Sequence, residues 1–282
     1  MKKILILISS VIILALGDMT AYGQATISTR KMKISDFCTK TTRMVLTGDA
    51  IFDGVFQEEV GRRWMISPFE FCTRDEYEAS KGNRDYYFLM PVDSRRKKEA
   101  EPGLTVLNLA KGGPEEGDNP GFDILSLPFA SAEEPNGREY VFLPVLIDVI
   151  QNYMRDAMVS DAAMLAVPGK ATNKLLKASK MKVVLSKDDI APSVKIEDWN
   201  DKNVFVVEEE VADGLLESKA ENTLLSYVVA PSTPQKGSVC YCFLITADTH
   251  EIIFCSKHAA KDESKIGFLS DDIKIAVISR KQ

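Results

Sequence analysis

The chain has 282 residues, with 35 basic and 41 acidic side chains and a formal net charge of −6. Nucleic acids and anionic lipid surfaces bind proteins that present a basic face, so this acidic balance argues against both as partners. A chain of this length buries roughly 70–75% of its unfolded surface and needs neither disulfides nor a metal ion to fold. The composition therefore predicts one large globular domain or two smaller ones.

The chain begins with the pattern of a secretory signal. Lys2 and Lys3 supply a basic start, and the apolar run Ile4–Leu16 follows them. This run is shorter than the roughly 20 apolar residues that a membrane-spanning helix needs. A basic start followed by a short apolar run is typical of a signal peptide for export, and an uncleaved membrane anchor is the alternative.

A cleavage site follows this run. Small residues stand at Ala21 and Gly23, in the pattern that signal peptidase recognises. We expect residues 1–23 to be removed, with cleavage after Ala25 as the alternative. No cysteine stands near the cut, so a lipid anchor is not expected, and the absence of a second long apolar run argues against an integral membrane protein. The expected location is the periplasm or the outer surface of the cell.

Strands and helices alternate along the rest of the chain, after a flexible arm at residues 24–41. We expect strands at 44–46, 65–71, 86–90, 104–109, 124–127, 181–185, 204–207, 225–229, 239–246 and 252–255. We expect helices at 50–63, 73–81, 139–158 and 208–221 and from about residue 270, with a partly helical segment at 186–199. Parallel strands need helical crossovers, so this alternation predicts the α/β class, with mixed sheets and flanking helices.

Local signals support three of the helices. Asp49 and Thr73 are favourable N-caps for the first two. The segment 139–158 is apolar on nearly all sides, which predicts a helix buried at the centre of the fold. Pro144 suits the first turn of that helix, where its missing N–H costs nothing.

The second half repeats the order of elements in the first. Strand 44–46 maps onto 182–184, strand 65–70 onto 203–208, and Ser80-Lys81 onto Ser218-Lys219 at one offset. We therefore hypothesise two similar β-α-β-α-β-β units, at 42–138 and 169–282, joined by a buried helix within 139–168. One continuous mixed sheet without internal symmetry is the alternative.

A hairpin near the C-terminus suggests a disulfide. The segment 246–251 has the shape of a β-turn, with His250 in the position that often takes positive φ. If Thr246 pairs with Glu251, Cys242 lies opposite Cys255, at the Cα separation that a disulfide needs. We predict that these two cysteines lie within bridging distance, either bonded or as two buried free thiols.

The remaining cysteines have no predicted partner. Cys240 is expected on the same face as Cys242, while nothing pairs with Cys38 or Cys72. An odd number of cysteines in an oxidising compartment leaves at least one thiol unpaired. The spacing of the five cysteines matches no zinc pattern, so we predict neither a metal site nor a cofactor.

The sequence identifies no catalytic group. Cys72 follows a strand, where nucleophiles occur, but both histidines, His250 and His258, are expected to be exposed and remote from it. Acidic pairs such as Glu58-Glu59 and the run Glu208-Glu209-Glu210 are interpreted as solvated faces. We therefore predict no catalytic residue.

One loop is a candidate binding site. Lys111, Gly112 and Gly113 follow a strand and would offer an ammonium group and two backbone N–H groups to an anion. The order of residues in a phosphate-binding Walker loop is missing, and a plain turn is the alternative.

Three features resemble envelope proteins. The strand–helix order of the first half is similar to the nucleotide-binding-like modules of the curli-secretion lipoprotein and of the penicillin-binding-protein activators. The hairpin Ser238–His258 resembles strand pairs of envelope proteins, and the Ala21–Gln24 junction resembles secreted proteins of the Bacteroides group. These resemblances imply an envelope location and no particular activity.

The expected function follows from export without catalytic groups. We predict a non-catalytic envelope protein, a binding or scaffold module whose partner is another envelope protein or a glycan. A hydrolase acting on an envelope or extracellular polymer is the alternative, based on the acidic pairs and Cys72. A dimeric structural component without a small ligand is a third interpretation.

Overall fold

The computed structural model describes residues 34–115, 121–159, 178–195 and 203–278. The predictions for the signal peptide and for the chain between 160 and 177 lie outside these residues. Within them the fold is α/β, with two five-stranded mixed sheets and five α-helices, which confirms the predicted class.

The first sheet is built from parallel and antiparallel strands. Its members are β1 (Thr41–Val45), β2 (Phe69–Cys72), β3 (Tyr86–Ser94), β4 (Leu104–Lys111) and β5 (Phe122–Ser131). Their order is β2-β1-β3-β4-β5, in which β1 is parallel to β2 and β3 while β3, β4 and β5 are antiparallel. The crossovers between parallel strands contain α1 (Ala50–Arg63) and α2 (Arg74–Ser80).

The second sheet has the same topology. Its members are β6 (Lys182–Ser186), β7 (Val204–Val207), β8 (Thr223–Val229), β9 (Val239–Thr246) and β10 (Ile252–Ala259). Their order is β10-β9-β8-β6-β7, with β6 parallel to β7 and β8, and with β8, β9 and β10 antiparallel. Helix α4 (Glu209–Glu217) precedes β8, and α5 (Ser270–Ile278) follows β10. The two sheets therefore share one arrangement, with one strand more than the β-α-β-α-β-β unit inferred from the sequence.

Helix α3 (Arg138–Val159) is the buried connector that its all-round apolar sequence predicts. It packs against α1 and β5 on one side, and its Phe142 ring stacks on Tyr227 of β8 at 4.0 Å on the other. A single apolar core thus joins α3 to both sheets. Pro144 lies inside the helix and not in its first turn, so it removes the backbone hydrogen bond to the carbonyl of Tyr140.

The second sheet has two buried faces. Its inner face, which includes Tyr227, Phe243 and Cys255, belongs to the core around α3. Its outer face, which includes Cys240 and Cys242, packs in a separate core with residues from the chain that follows β10. Because both of its faces are buried, this sheet lies at the centre of the second half of the molecule.

The end of the predicted arm is packed, contrary to expectation. Ile34 and Phe37 are fully buried, and the Phe37 ring makes an edge contact with Tyr87 at 4.8 Å. Asp36 accepts a hydrogen bond from the Tyr87 hydroxyl at 2.5 Å. Two apolar side chains within a polar run are enough to hold the described part of this segment against the first sheet.

The turn between β9 and β10 forms as predicted. The Thr246 N–H donates to the Glu251 carbonyl at 3.0 Å, and His250 has a φ of 54°. Positive φ is tolerated at this position because histidine is not branched at Cβ.

The strand register beyond this turn differs from the prediction by one residue. A β-bulge between Ile252 and Phe254 shifts the pairing, so that Cys242 lies opposite Ser256 and not opposite Cys255. A shift of one residue turns a side chain to the other face of a sheet. Cys242 consequently lies on the outer face and Cys255 on the inner face, so the predicted pairing of these two thiols is wrong. All five cysteines are free thiols in the structure.

Asp49 caps α1 as predicted. Its carboxylate accepts hydrogen bonds from the backbone N–H groups of Ile51 and Phe52, at 2.9 and 2.8 Å. Replacing Asp49 with alanine should lower the free energy of unfolding by about 1 kcal/mol, because both N–H groups lose their acceptor. Asp49→Ser keeps an acceptor oxygen and should retain most of the stability in urea unfolding followed by circular dichroism. Equal losses in the two variants would contradict the capping role.

Candidate functional site

A cleft of about 210 Å³ lies where the two halves of the molecule meet. The end of β5, the loop after it and the start of α3 line one side. The residues that follow β6 and β8, and the start of α4, line the other. The cleft therefore opens at the carboxyl ends of the parallel strands of the second sheet, which is where α/β proteins bind ligands.

Arg138 binds three carboxylates beside this cleft. Its side chain is only 4% exposed, and its nitrogens lie 2.8 Å from Asp189, 3.2 Å from Asp213 and 3.5 Å from Glu209. A further N–H donates to the backbone carbonyl of Ser226 at 3.2 Å. A buried charge is tolerated only when it is paired and hydrogen-bonded, so this network ties the start of α3 to the second sheet.

The carboxylates around Arg138 are crowded. Burial raises the pKa of both Glu209 and Asp213, the charge of Arg138 lowers it, and nearby acidic groups raise it again. The net direction for both residues is upward. Burial is the main cause of this upward direction and repulsion between the carboxylates adds to it, so an additional cation would favour their charged forms.

Glu139 has an unsatisfied oxygen in the cleft wall. Its Oε2 atom accepts a hydrogen bond from the Gly137 N–H at 2.9 Å, whereas its Oε1 atom is buried without a partner. The residue is 4% exposed and lines the cleft. A buried acceptor without a donor costs free energy, which a donor at this oxygen would recover.

The opposite walls of the cleft are partly apolar. Phe129, Tyr227, Pro231 and Ile266 line it, and the Tyr227 hydroxyl donates to the backbone carbonyl of Phe129. Among the described residues that line the cleft, none is a cysteine, histidine or lysine. The walls thus offer acceptors and apolar surface, which suits binding, and no cysteine nucleophile with a base beside it.

The predicted anion loop lies elsewhere and its donors are engaged. The Lys111 ammonium donates to both carboxylate oxygens of Asp36, at 2.7 and 2.9 Å. The N–H groups of Gly112 and Gly113 each donate to a backbone carbonyl at 2.9 Å. Because the fold itself uses these donors, the described part of the loop does not offer them to an anion in this structure.

His250 is buried and not exposed as predicted. It is 5% exposed, and its Nδ1 atom donates to the Asp148 carboxylate at 2.7 Å. Arg63 donates to the same carboxylate at 2.8 Å. Burial raises the pKa of Asp148, but the hydrogen bond from His250 and the charge of Arg63 outweigh it and bring the pKa below its ordinary value. This contact joins the β9–β10 turn to α3 and α1.

Cys72 is not paired with a base. It is buried, which raises the pKa of its thiol, and its charged neighbours are Arg43, Glu70 and Glu76. A nucleophilic cysteine needs a lowered pKa or an adjacent base. In the described structure Cys72 is therefore a core residue at the entry to α2.

One group of side chains in the described residues has the composition of a metal site. The ligand atoms of Cys240, Cys242 and His258 all lie within 4.8 Å of one another on the outer face of the second sheet. His258 was expected to be exposed, but its side chain is 13% exposed because β10 extends to Ala259. Sequence spacing missed this group because the histidine comes from the neighbouring strand.

The chain is an α/β protein with a small, acidic cleft at the carboxyl ends of the parallel strands of its second sheet. Comparison with family models, curated proteins and solved structures found no match. Within the described residues no helix has the length and apolar character needed to cross a membrane. The function must therefore be inferred from the chemistry of the cleft.

Proposed function

We propose that the chain is an exported, non-catalytic binding protein of the bacterial envelope, and that its cleft takes a small organic cation with a primary amine. The observation that carries this proposal is the buried, unpartnered Oε1 atom of Glu139 in an acidic cleft. An ammonium group has three donors and one positive charge, and it complements a carboxylate with one oxygen that lacks a donor.

The charge of the cleft favours a cation. Five acidic residues line it, namely Glu134, Glu139, Asp188, Asp189 and Glu209, against the single basic residue Arg138. Arg138 is already occupied by Asp189 and Asp213. A cleft with one sign of charge concentrates ligands of the opposite sign, so an anionic ligand would be repelled.

The apolar walls favour an organic cation over a metal ion. Calcium and magnesium ions bind six or more oxygen ligands, including water. In this cleft Phe129, Tyr227, Pro231 and Ile266 make up part of the wall. A short alkyl chain attached to an amine would contact these side chains while its ammonium group reaches Glu139.

Export and the absence of catalysis are parts of the same proposal. Export rests on the basic start and the short apolar run of the N-terminal sequence. A binding role is supported by the lining of the cleft, whose described residues include neither a cysteine nor a histidine. If the partner is another envelope protein or a glycan, the amine that binds in the cleft would be one of the functional groups of that partner.

The proposal is tested with n-butylamine, and with butyrate as an anion of similar size. Calorimetry should detect one butylamine per chain and no binding of butyrate. Glu139→Gln should weaken butylamine binding about 10- to 100-fold, because a hydrogen bond between two charged groups contributes about 1.5–3 kcal/mol. Binding should also weaken as the pH falls through the raised pKa of Glu209, whose protonation removes a negative charge from the cleft.

Glu210→Gln is the matched control. Glu210 is the exposed neighbour of Glu209 in the same helix, and the substitution changes the net charge by the same amount. It should leave butylamine affinity unchanged within about twofold. The proposal fails if butyrate binds as well as butylamine, if no butylamine binds, or if the Glu210 and Glu139 variants lose affinity equally.

A further inference from the structure

Three groups that bind metals meet on the outer face of the second sheet, away from the cleft. Cys240 and Cys242 are two residues apart on β9, and His258 of β10 is the direct cross-strand partner of Cys240. Both cysteines are fully buried. Because alternate residues of a strand share a face, the two thiols point the same way and the imidazole lies beside them.

The spacing of the two sulfur atoms fits a shared metal ion. The Sγ atoms of Cys240 and Cys242 are 3.8 Å apart. Two thiolates bound to one tetrahedral zinc ion at about 2.3 Å each lie about 3.8 Å from one another. A disulfide between them would instead link alternate residues of an extended strand, whose Cα atoms are about 6.7 Å apart, at the upper limit for that bond.

His258 is oriented as a metal ligand. Its Nε2 atom lies 2.8 Å from the backbone carbonyl of Lys265, and a carbonyl oxygen can only accept, so Nε2 carries the proton. In the neutral imidazole the Nδ1 atom then carries the lone pair, and in this structure Nδ1 is buried without a hydrogen-bond partner. Ligating histidines commonly donate their other N–H to a carbonyl in this way, which sets the tautomer and the ring orientation.

Two further groups surround these ligands. The backbone N–H of Gly267 donates to the Cys240 sulfur at 3.3 Å, a contact that stabilises negative charge on a thiolate. The Asp272 carboxylate, at the start of α5, has its Oδ2 atom 3.9 Å from Nδ1 of His258 and is 1% exposed. The same Oδ2 atom accepts a hydrogen bond from the Leu269 N–H at 3.0 Å, so Asp272 places a negative charge beside the three ligands.

We propose that Cys240, Cys242 and His258 bind one zinc ion, with the fourth position of a tetrahedral site open to water. Two sulfurs, one imidazole nitrogen and a water molecule are ligands that zinc accepts in this geometry. The site links β9 to β10, so the ion would stabilise the folded protein by its binding free energy. The partly exposed edge of His258 gives the ion a route from solvent.

The full protein is first reduced and freed of metal, and is then titrated with Zn²⁺ and, separately, with Co²⁺. The visible absorption spectrum of bound Co²⁺ reports the type and geometry of its ligands. We expect one ion per chain, a thiolate-to-cobalt charge-transfer band, and the intense absorption of tetrahedral cobalt. Zn²⁺ should displace Co²⁺ and raise the melting temperature. Each of Cys240→Ser, Cys242→Ser and His258→Gln should weaken Zn²⁺ binding by at least about 100-fold.

Cys255→Ser is the matched control, because Cys255 is also a buried thiol of this sheet but lies on the inner face. It should keep both the cobalt spectrum and the zinc stoichiometry. The cobalt spectrum of the unsubstituted protein tests the site even if a ligand variant does not fold. The proposal is overturned if that spectrum lacks the charge-transfer band, if Cu⁺ binds and Zn²⁺ does not, or if Cys255→Ser abolishes the signal.

Discussion

Replacing Arg138 with methionine is expected to lower the free energy of unfolding by about 3–5 kcal/mol. The substitution keeps an unbranched side chain of similar reach but leaves the Asp189 carboxylate, which is 3% exposed, without its 2.8 Å partner. Asp213 and Glu209 lose the same charge, and their mutual repulsion is no longer offset. Removing one partner of a buried ion pair lowers the free energy of unfolding by far more than the intact pair contributes to it, because a buried charge is left unpaired. Urea unfolding followed by fluorescence measures the loss.

Arg62→Met is the control for this prediction. Arg62 makes ion pairs with Glu58 and Glu59, but its side chain is 65% exposed, so its loss should cost less than about 1 kcal/mol. The double variant Arg138→Met with Asp189→Asn should recover part of the stability, because it removes the orphaned charge. A loss below about 1 kcal/mol in the single Arg138 variant would show that the network is not required for folding.

Phe142→Ala is expected to cost about 3–5 kcal/mol. The ring is fully buried and stacks on Tyr227 at 4.0 Å, so its removal opens a cavity between α3 and the second sheet. The same chemical change at Phe205, which is 42% exposed on β7, should cost about 1 kcal/mol or less. Urea unfolding of the two variants compares them directly. Equal costs would mean that the contact between α3 and β8 does not hold the two halves together.

The elements were predictable where local signals agree with one another. Helix α1 spans the expected residues 50–63, because Asp49 caps it and one face carries the apolar side chains Phe52, Phe56 and Val60. Strands β7 and β9 also match the expected bounds, since β7 is a run of branched and aromatic residues and β9 is apolar along nearly its whole length. The α/β class followed from the order of such elements alone.

The cleft was not predictable, because its parts come from distant points of the chain. Arg138 and Glu209 begin α3 and α4, whereas Asp189 follows β6, and nothing in the local sequence marks the three as neighbours. Their convergence depends on how α3 docks against the second sheet. Sequence reasoning could interpret each charge only as part of a solvated face.

The hairpin shows how one residue changes a chemical prediction. Both strands of the hairpin contain cysteines, and a regular antiparallel register that starts from the Thr246–Glu251 pair places Cys242 opposite Cys255. The bulge at Ile253 inserts one residue, which reverses the face of every later side chain in β10. The same shift that separates this pair brings His258 opposite Cys240. A bulge has no reliable signal in a single sequence, so neither outcome could be foreseen.

The short segment 265–268 touches both of the sites described above. Ile266 lines the cleft, whereas the Gly267 N–H reaches the sulfur of Cys240 and the Lys265 carbonyl holds His258. Gly267 has a φ of +110°, and a β-carbon there would lie 2.6 Å from the backbone oxygen of Asp189, so larger residues do not fit. A shift of this segment when one proposed site is occupied would therefore be transmitted to the other. If an ion on the outer face changes the affinity of the cleft for the amine by some factor, the amine changes the affinity for the ion by the same factor.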